Sequence, residues 1–237
     1  MPAVTLQGLD AVALQNRIDS KYVLSRAQLD DILPAIISGY KVLDINGYRS
    51  FTYENNYFDT DDYQFYYDHH NGYVNRMKVR SRKYLETGNA FFEIKKKEKV
   101  ERTNKIRESV PDVLDKLDES RQQIVQAMSR KDVSGLKVLL TNSFNRVTFV
   151  NHDQTERVTL DFNIHFTDGQ KEESLGGVYI LELKRSRAGG MSAISATLKK
   201  KGVREQGFSK YIYGMMALKD VRKNNFLPLL KNVNNLK

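Results

Sequence analysis

Several short segments of this chain alternate strictly between charged and apolar residues. In residues 76–82, Arg76, Lys78, Arg80 and Arg82 share one parity, and Met77 and Val79 the other. In 91–99, Glu93, Lys95, Lys97 and Lys99 oppose Phe92 and Ile94. In 157–165, Arg157, Thr159, Asp161, Asn163 and His165 oppose Val158, Leu160, Phe162 and Ile164. Glu182 and Lys184 oppose Leu181 and Leu183, and Arg146 alternates with Val147 and Phe149. In the opening stretch NRIDSKYVL, Arg17, Asp19 and Lys21 share one face, with Ile18, Tyr22 and Leu24 on the other. Successive side chains of an extended strand point to opposite faces, so each segment predicts a strand with one apolar and one charged side.

Alternation alone leaves two arrangements open. An antiparallel sheet with one face in water produces it. So does a sheet whose charged face lines an enclosed site. Three observations favour the second. Only Asp19, Glu93, Asp161 and Glu182 offset the many cations on these faces. Arginine, the better bidentate partner for phosphate oxygens, is frequent among them. The helical segments carry apolar stripes, which need the apolar sheet faces as partners. Helices outside a curved sheet turn the charged faces inward, and closing about eight strands leaves an interior of ligand size. The expected fold is therefore α+β, an antiparallel β-barrel of about eight strands that forms a basic tunnel, with helices packed outside. A cation-lined tunnel suits a thin, linear polyanion, and its few carboxylates suit a divalent metal with oxygen ligands.

The balance of 38 Lys and Arg against 29 Asp and Glu gives a net charge of +9. This points towards polyanionic partners: nucleic acid, anionic lipid or phosphate compounds. There are no cysteines, which excludes disulfides, cysteine-ligated zinc and thiol catalysis. There is no G-x-x-x-x-G-K-[ST] motif, so a P-loop is excluded. The first residues lack a secretory leader pattern, and no apolar run reaches the ~18 residues of a membrane span. A soluble, cytoplasmic protein is expected.

With no repeat and no low-complexity linker, one domain over 1–237 is the simplest organisation, with a core at about 10–220 and a tail at 221–237. SRAQLDDILPAIISGY predicts a helix, with Ser25 as N-cap, Leu29, Ile32, Leu33 and Ile36 as its stripe, and Pro34 as a point of kinking or splitting. Strands are expected at about 40–46, 49–58, 138–150, 156–167 and 176–185. A hairpin joins YVNRMKVRSRKYL to NAFFEIKKKEKV. Helices are expected in DTDDYQFYYDHH, PDVLDKLDESRQQIVQAMSR, MSAISATLKKKG and FSKYIYGMMALKD, and FLPLL docks on the body. KKKEK at 95–99 resembles a nucleic-acid patch, but its alternation fits a strand better. His69 and His70, with no acid at ligand spacing, are read as surface residues, and His165 as a sheet-end histidine.

The segments RIDSKY, VRSRKY, FFEIKKK, NRVTF, VTLDFN, LELK and FSKY occur in this order. Together they resemble a VTC (vacuolar transporter chaperone) domain, of the triphosphate tunnel metalloenzyme or CYTH-like superfamily, over about residues 10 to 220. The resemblance implies a polyphosphate polymerase, which transfers the γ-phosphate of ATP onto a polyphosphate chain in the tunnel. It implies Lys21, Arg80, Arg82, Lys95, Arg146 and Lys210 as catalytic phosphate ligands and Glu182, with Asp19, as ligands of Mn2+ or Mg2+. The neighbouring cations Arg17, Lys78, Lys97 and Lys184 are the expected substrate-binding residues. Where many tunnel enzymes open with Glu-x-Glu-x-Lys, this chain has Arg17 and Asp19, as the bacterial branch does. The expected partners are ATP and inorganic polyphosphate, with no specific nucleic acid. Export of product would need a separate membrane protein, through which the chain could associate with a membrane. A tunnel triphosphatase and a non-catalytic polyphosphate-binding module are the alternative functions.

Overall fold

A computed structural model describes residues 1–10, 17–98, 103–129, 131–186 and 190–237. It opens with β1 (Ala3–Val4) and α1 (Leu6–Asp10), then β2 (Arg17–Leu24), α2 (Arg26–Gly39), β3 (Tyr40–Leu43) and β4 (Phe51–Asp59). α3 (Gln64–His70) leads into β5 (Met77–Tyr84), β6 (Ala90–Lys97) and β7 (Thr103–Val110). After α4 (Glu119–Met128) come β8 (Lys137–Asn151), β9 (Glu156–Thr167), β10 (Glu172–Leu175) and β11 (Tyr179–Ser186). α5 (Ala193–Lys200), α6 (Lys210–Leu218) and α7 (Leu227–Leu236) follow.

Eight strands pair in the order β2-β11-β9-β8-β4-β5-β6-β7, with β1, β3 and β10 attached at the side. All pairings along this path are antiparallel. The α+β architecture and the eight-strand path match the sequence expectation. The path is an open sheet by hydrogen bonding, since no described pairing joins β7 to β2. It is nevertheless curled, because side chains from both ends of the path line one cavity.

The apolar faces turn outward as expected. Leu24, Val158, Leu160, Leu181 and Leu183 form a core with Leu29, Ile32 and Ile36 of α2 and Ile194 and Leu198 of α5. α2 runs unbroken through Pro34, and Ser25 caps it in a reciprocal capping box with Gln28. A second core joins Met77, Val79, Phe92 and Ile94 to Leu117 and Val125 around α4, and to α6 and α7.

α4 begins only at Glu119, later than the amphipathic pattern from Pro111 predicts. Upstream, Asp112 accepts the Val113 N–H, Ser81 Oγ accepts the Leu114 N–H, and Asp118 caps the helix at Arg121. These side chains offer the backbone partners that compete with a helix.

One feature of β9 redirects its side chains. Its register with β8 shifts between Ser143 and Asn145, where Phe162 and His165 bracket one extra residue, and Asn163 has φ 50°. An extra residue reverses which face each later side chain takes. Ile164 and Phe166 therefore join the core that contains α6, while His165 faces Glu172 on β10. The expectation that Asn163 and His165 continue the inner charged row is corrected by this bulge.

α6 packs tightly here. A Cβ on Gly214 would lie 2.6 Å from Leu140 Cδ2 and 2.8 Å from Phe166 Cδ1.

His69 and His70 are also corrected. His70 is buried, and its ring contacts Phe226 while Nε2 lies 2.8 Å from Asn224 Oδ1. His69 is half-buried against Tyr211, with Nδ1 2.9 Å from the Phe65 carbonyl. α3 is covered by α6 and the chain end, which local sequence does not reveal.

Candidate functional site

The concave face of the sheet encloses a cavity of about 420 Å3, to which every strand of the eight-strand path contributes a charged or aromatic side chain. Lys21 comes from β2, Glu182 and Lys184 from β11, Asp161 from β9, and Arg146 and Phe144 from β8. The other wall is Tyr57 of β4, Lys78, Arg80 and Arg82 of β5, Glu93 and Lys95 of β6, and Lys105 and Arg107 of β7. Lys210, the first residue of α6, completes the ring with Phe208 and Ser209 before it.

Register explains the convergence. Arg80 lies across from Glu93, which lies across from Arg107, and Lys78, Lys95 and Lys105 are aligned in the same way. Cross-strand partners share a face, so one period-two pattern repeats through three strands.

Three carboxylates answer these cations, each differently. Asp161 accepts two bonds from Arg146, at 2.5 and 2.8 Å, and is also paired with Lys210. Burial opposes its ionisation, yet Arg146 and Lys210 hold it well below the usual carboxylate range. Glu93 accepts from Arg80 Nε at 2.7 Å, with Arg107 Nε 3.6 Å away. Among the described residues, Glu182 is paired with Lys184, at 3.4 Å. Against the effect of burial, Lys184, Lys21 and Arg146 draw its pKa down to about 2.

Three further cations are held by neutral groups. Lys21 Nζ donates to the Phe208 carbonyl at 3.2 Å, and Lys78 Nζ to Ser209 Oγ at 2.9 Å. Arg82 Nε donates to Asn55 Oδ1 at 2.6 Å. Burial, then repulsion from Lys21 and Lys95, pushes Lys78 far below its ordinary value. Lys95 is depressed by burial and by Lys105 and Lys21, although its side chain meets solvent: it lies inside the molecular envelope but in a wet lumen. Lys184 and Lys210 fall to about 8, first through burial and then through Arg146, despite their acidic partners. Arg146 already claims Asp161 with two bonds, so Lys210 is the surplus charge there.

Of the residues singled out in the sequence, Lys21, Lys78, Arg80, Arg82, Lys95, Arg146, Glu182, Lys184 and Lys210 therefore meet around one volume. Asp19 and Lys97 are not among its lining. Asp19 lies across from Lys184, nearer the start of β2, and Lys97 ends β6 across from Thr103. Arg17 begins β2, and its side chain, like all of Lys99, lies outside the described residues.

Lys105 and Arg107 were missed. Their strand, TNKIRESV, alternates, but only Ile106 and Val110 mark its apolar side. The cue available was Lys105 and Arg107 at the period-two spacing already seen in β5 and β6.

Among the described residues no three His, Asp or Glu side chains gather into a metal cluster. Glu182 is nevertheless weakly committed. Thr159, across from it on β9, has a buried Oγ1 without a hydrogen-bond partner. Mg2+ and Mn2+ take one or two carboxylates together with substrate phosphate oxygens, and this donor set fits that mode.

A family model described as VTC domain matches residues 16–219. Comparison with curated proteins returned no match. Among solved structures, the chain is similar to HpAC1 from Hippeastrum, described as having a dominant triphosphatase activity. The two are 15% identical over 86% of this chain and 97% of that one, with a TM-score of 0.48. A Vibrio parahaemolyticus protein proposed to be an adenylate cyclase is 14% identical over 84% and 98% of the two chains (TM-score 0.47). PH1012 from Pyrococcus horikoshii is 15% identical over 79% and 91% (TM-score 0.44).

Proposed function

Because this chain belongs to the VTC domain family, matched over residues 16–219, we propose that it transfers the γ-phosphate of ATP onto an inorganic polyphosphate chain held in the cavity. One observation carries the reading: among the described residues, cations from strands along the whole curled sheet face a single volume lined by three carboxylates. Burial first, and then repulsion from neighbouring cations, depresses Lys78 and Lys95. A linear phosphate relieves that repulsion along its length. The single-domain organisation over 1–237 belongs to the same proposal.

Phosphoryl transfer needs in-line positioning and neutralisation of developing charge more than covalent help. Lys21, Arg80, Arg82, Lys95, Arg146 and Lys210 supply both, gripping phosphate oxygens from opposite walls. Asp161 and Glu93 orient Arg146 and Arg80 through charge-assisted bonds. Lys78 and Lys184 add charge, and Arg17 and Lys97, in the strands β2 and β6, are proposed as further substrate-binding cations. A terminal phosphate is already anionic as nucleophile, so no general base is required. Glu182 would hold Mn2+ or Mg2+, with Asp19 assisting, and the ion would supply neutralisation of phosphate charge.

Incubation of the protein with ATP and Mn2+ tests the proposal. Long-chain polyphosphate with stoichiometric ADP is the expected product. Free phosphate as the main product would make the protein a triphosphatase, and binding without turnover would make it a polyphosphate-binding module. For the metal, Glu182→Gln should abolish turnover across ordinary Mn2+ concentrations while polyphosphate binding in chelator persists. Unchanged Mn2+ dependence with weakened polyphosphate binding would show that Glu182 only orients Lys184.

A further inference from the structure

The inner row of side chains changes character at one end of the sheet. Along β5 it reads Lys78, Arg80, Arg82 and then Tyr84; along β6, from the far end, Lys95, Glu93 and then Phe91. Tyr84 lies across from Tyr53 on β4. Three adjacent strands thus exchange charge for rings at two neighbouring levels, Phe91 across from Arg82 and Tyr53 across from Tyr84, beside the turn joining β5 to β6. A bare phosphate chain has no use for aromatic faces.

These rings form one contiguous platform. Tyr53 and Tyr84 meet edge to face with centroids 4.7 Å apart, and Tyr84 and Phe91 at 5.9 Å. The Arg107 guanidinium lies 3.7 Å from the centroid of Phe91, and its Nη2 donates to the Tyr84 hydroxyl at 3.3 Å. Arg107 both lines the cavity and leaves half of its side chain exposed. A flat guanidinium on an aromatic shelf, open to solvent on one side and to phosphate ligands on the other, matches a heterocycle that carries a phosphate tail.

We propose that Tyr84, Phe91 and Arg107 form a nucleobase subsite, which stacks the base of a nucleoside triphosphate while its phosphates extend inward past Arg82 and Arg80. This assignment rests on the phosphate-binding reading of the cavity and adds the direction in which a nucleotide lies.

The test compares ATP with inorganic tripolyphosphate, which shares the phosphates and lacks the base. Tyr84→Leu and Phe91→Leu keep apolar volume and remove one ring each. Each should weaken ATP binding about tenfold, the scale of one base–aromatic stack, while tripolyphosphate binding stays at the wild-type level. Equal weakening of both ligands would overturn the subsite and make the rings mere shelves for Arg107. Unchanged binding of both by folded variants would overturn it too. A second measurement needs no variant: the emission of etheno-ATP should change on binding wild-type protein and return when excess tripolyphosphate displaces it. Etheno-ATP that binds with unaltered emission would count against stacking. If wild-type protein bound no tripolyphosphate, the proposed function would fail, and the subsite with it.

Discussion

Asp161 and Asp59 are both buried aspartates at the centre of hydrogen-bond clusters, yet their surroundings push them in opposite directions. Asp161 sits among full charges, and Arg146 and Lys210 keep it ionised against the effect of burial. Asp59, at the end of β4, is met among the described residues by neutral dipoles. It accepts the Thr60 and Phe65 N–H groups at 2.8 Å, the Tyr66 N–H at 3.1 Å and the Tyr211 hydroxyl. Burial outweighs these donors and raises its pKa to about 6. The cavity holds charge that answers charge. The α3–α6 junction uses one carboxylate to fasten a helix start and a tyrosine. The first arrangement is suited to exchanging partners with a ligand, the second to permanence.

The contrast breaks most visibly in Lys210→Ala. Turnover should fall about a hundredfold or more, the scale of one transition-state donor, with the melting temperature near wild type because Arg146 still satisfies Asp161. Near-normal turnover would remove Lys210 from the site. Asp59→Ala should do the reverse. It strands three backbone donors and a buried hydroxyl, so denaturant unfolding should show a loss of about 3 kcal/mol. Its folded fraction should bind tripolyphosphate far better than Lys210→Ala does.

A pH series separates the two aspartate environments with smaller effects. Lys184 and Lys210 titrate near 8 in the fold against an ordinary 10.5. Tripolyphosphate affinity should therefore decline as pH rises past about 8. Stability of the ligand-free protein should rise over the same window towards 10.5, because the unfolded chain there binds more protons. Asp59 works in the acid range. Its folded value exceeds 3.8, so its contribution is full below 3.8 and is lost as pH rises through about 6; Asp59→Asn should remove that decline. Affinity that stayed flat from pH 7 to 10 would mean the lysines are not depressed. The smallest effect belongs to Lys105→Ala, which should lower the salt slope of polyphosphate binding by about one without changing the melting temperature. An unchanged slope would place Lys105 outside the ligand's path.

Much of this site was legible because strands print their geometry at period two. Arg80, Arg82 and Lys95 could be assigned to one face from spacing alone, and β5 and β6 supply them. β7 escaped because Ile106 and Val110 are too few apolar marks to outline a strand among charges. The reversal after Asn163 was invisible, since a bulge is a backbone event and VTLDFNIHFT alternates smoothly through it. The burial of His69 and His70 depends on α6 and the segment around Phe226, remote in sequence from α3. Asp59 likewise looks like one acid among several in DTDD. Charge pattern thus reveals which face a residue takes, while closure at the ends of the sheet depends on contacts between distant segments.

The fit at Gly214 bears on how exact the cavity must be. The helix that begins with Lys210 rests on Leu140 and Phe166 with less clearance than one methyl group requires. Any larger residue at 214 must lift that helix or turn the Leu140 side chain aside. The lift would travel down one rigid turn to Lys210 and Ser209, and from Ser209 to Lys78. Position 214 therefore acts as a shim: it lies outside the cavity lining, yet its thickness bears on how far the lysine amines reach across the cavity.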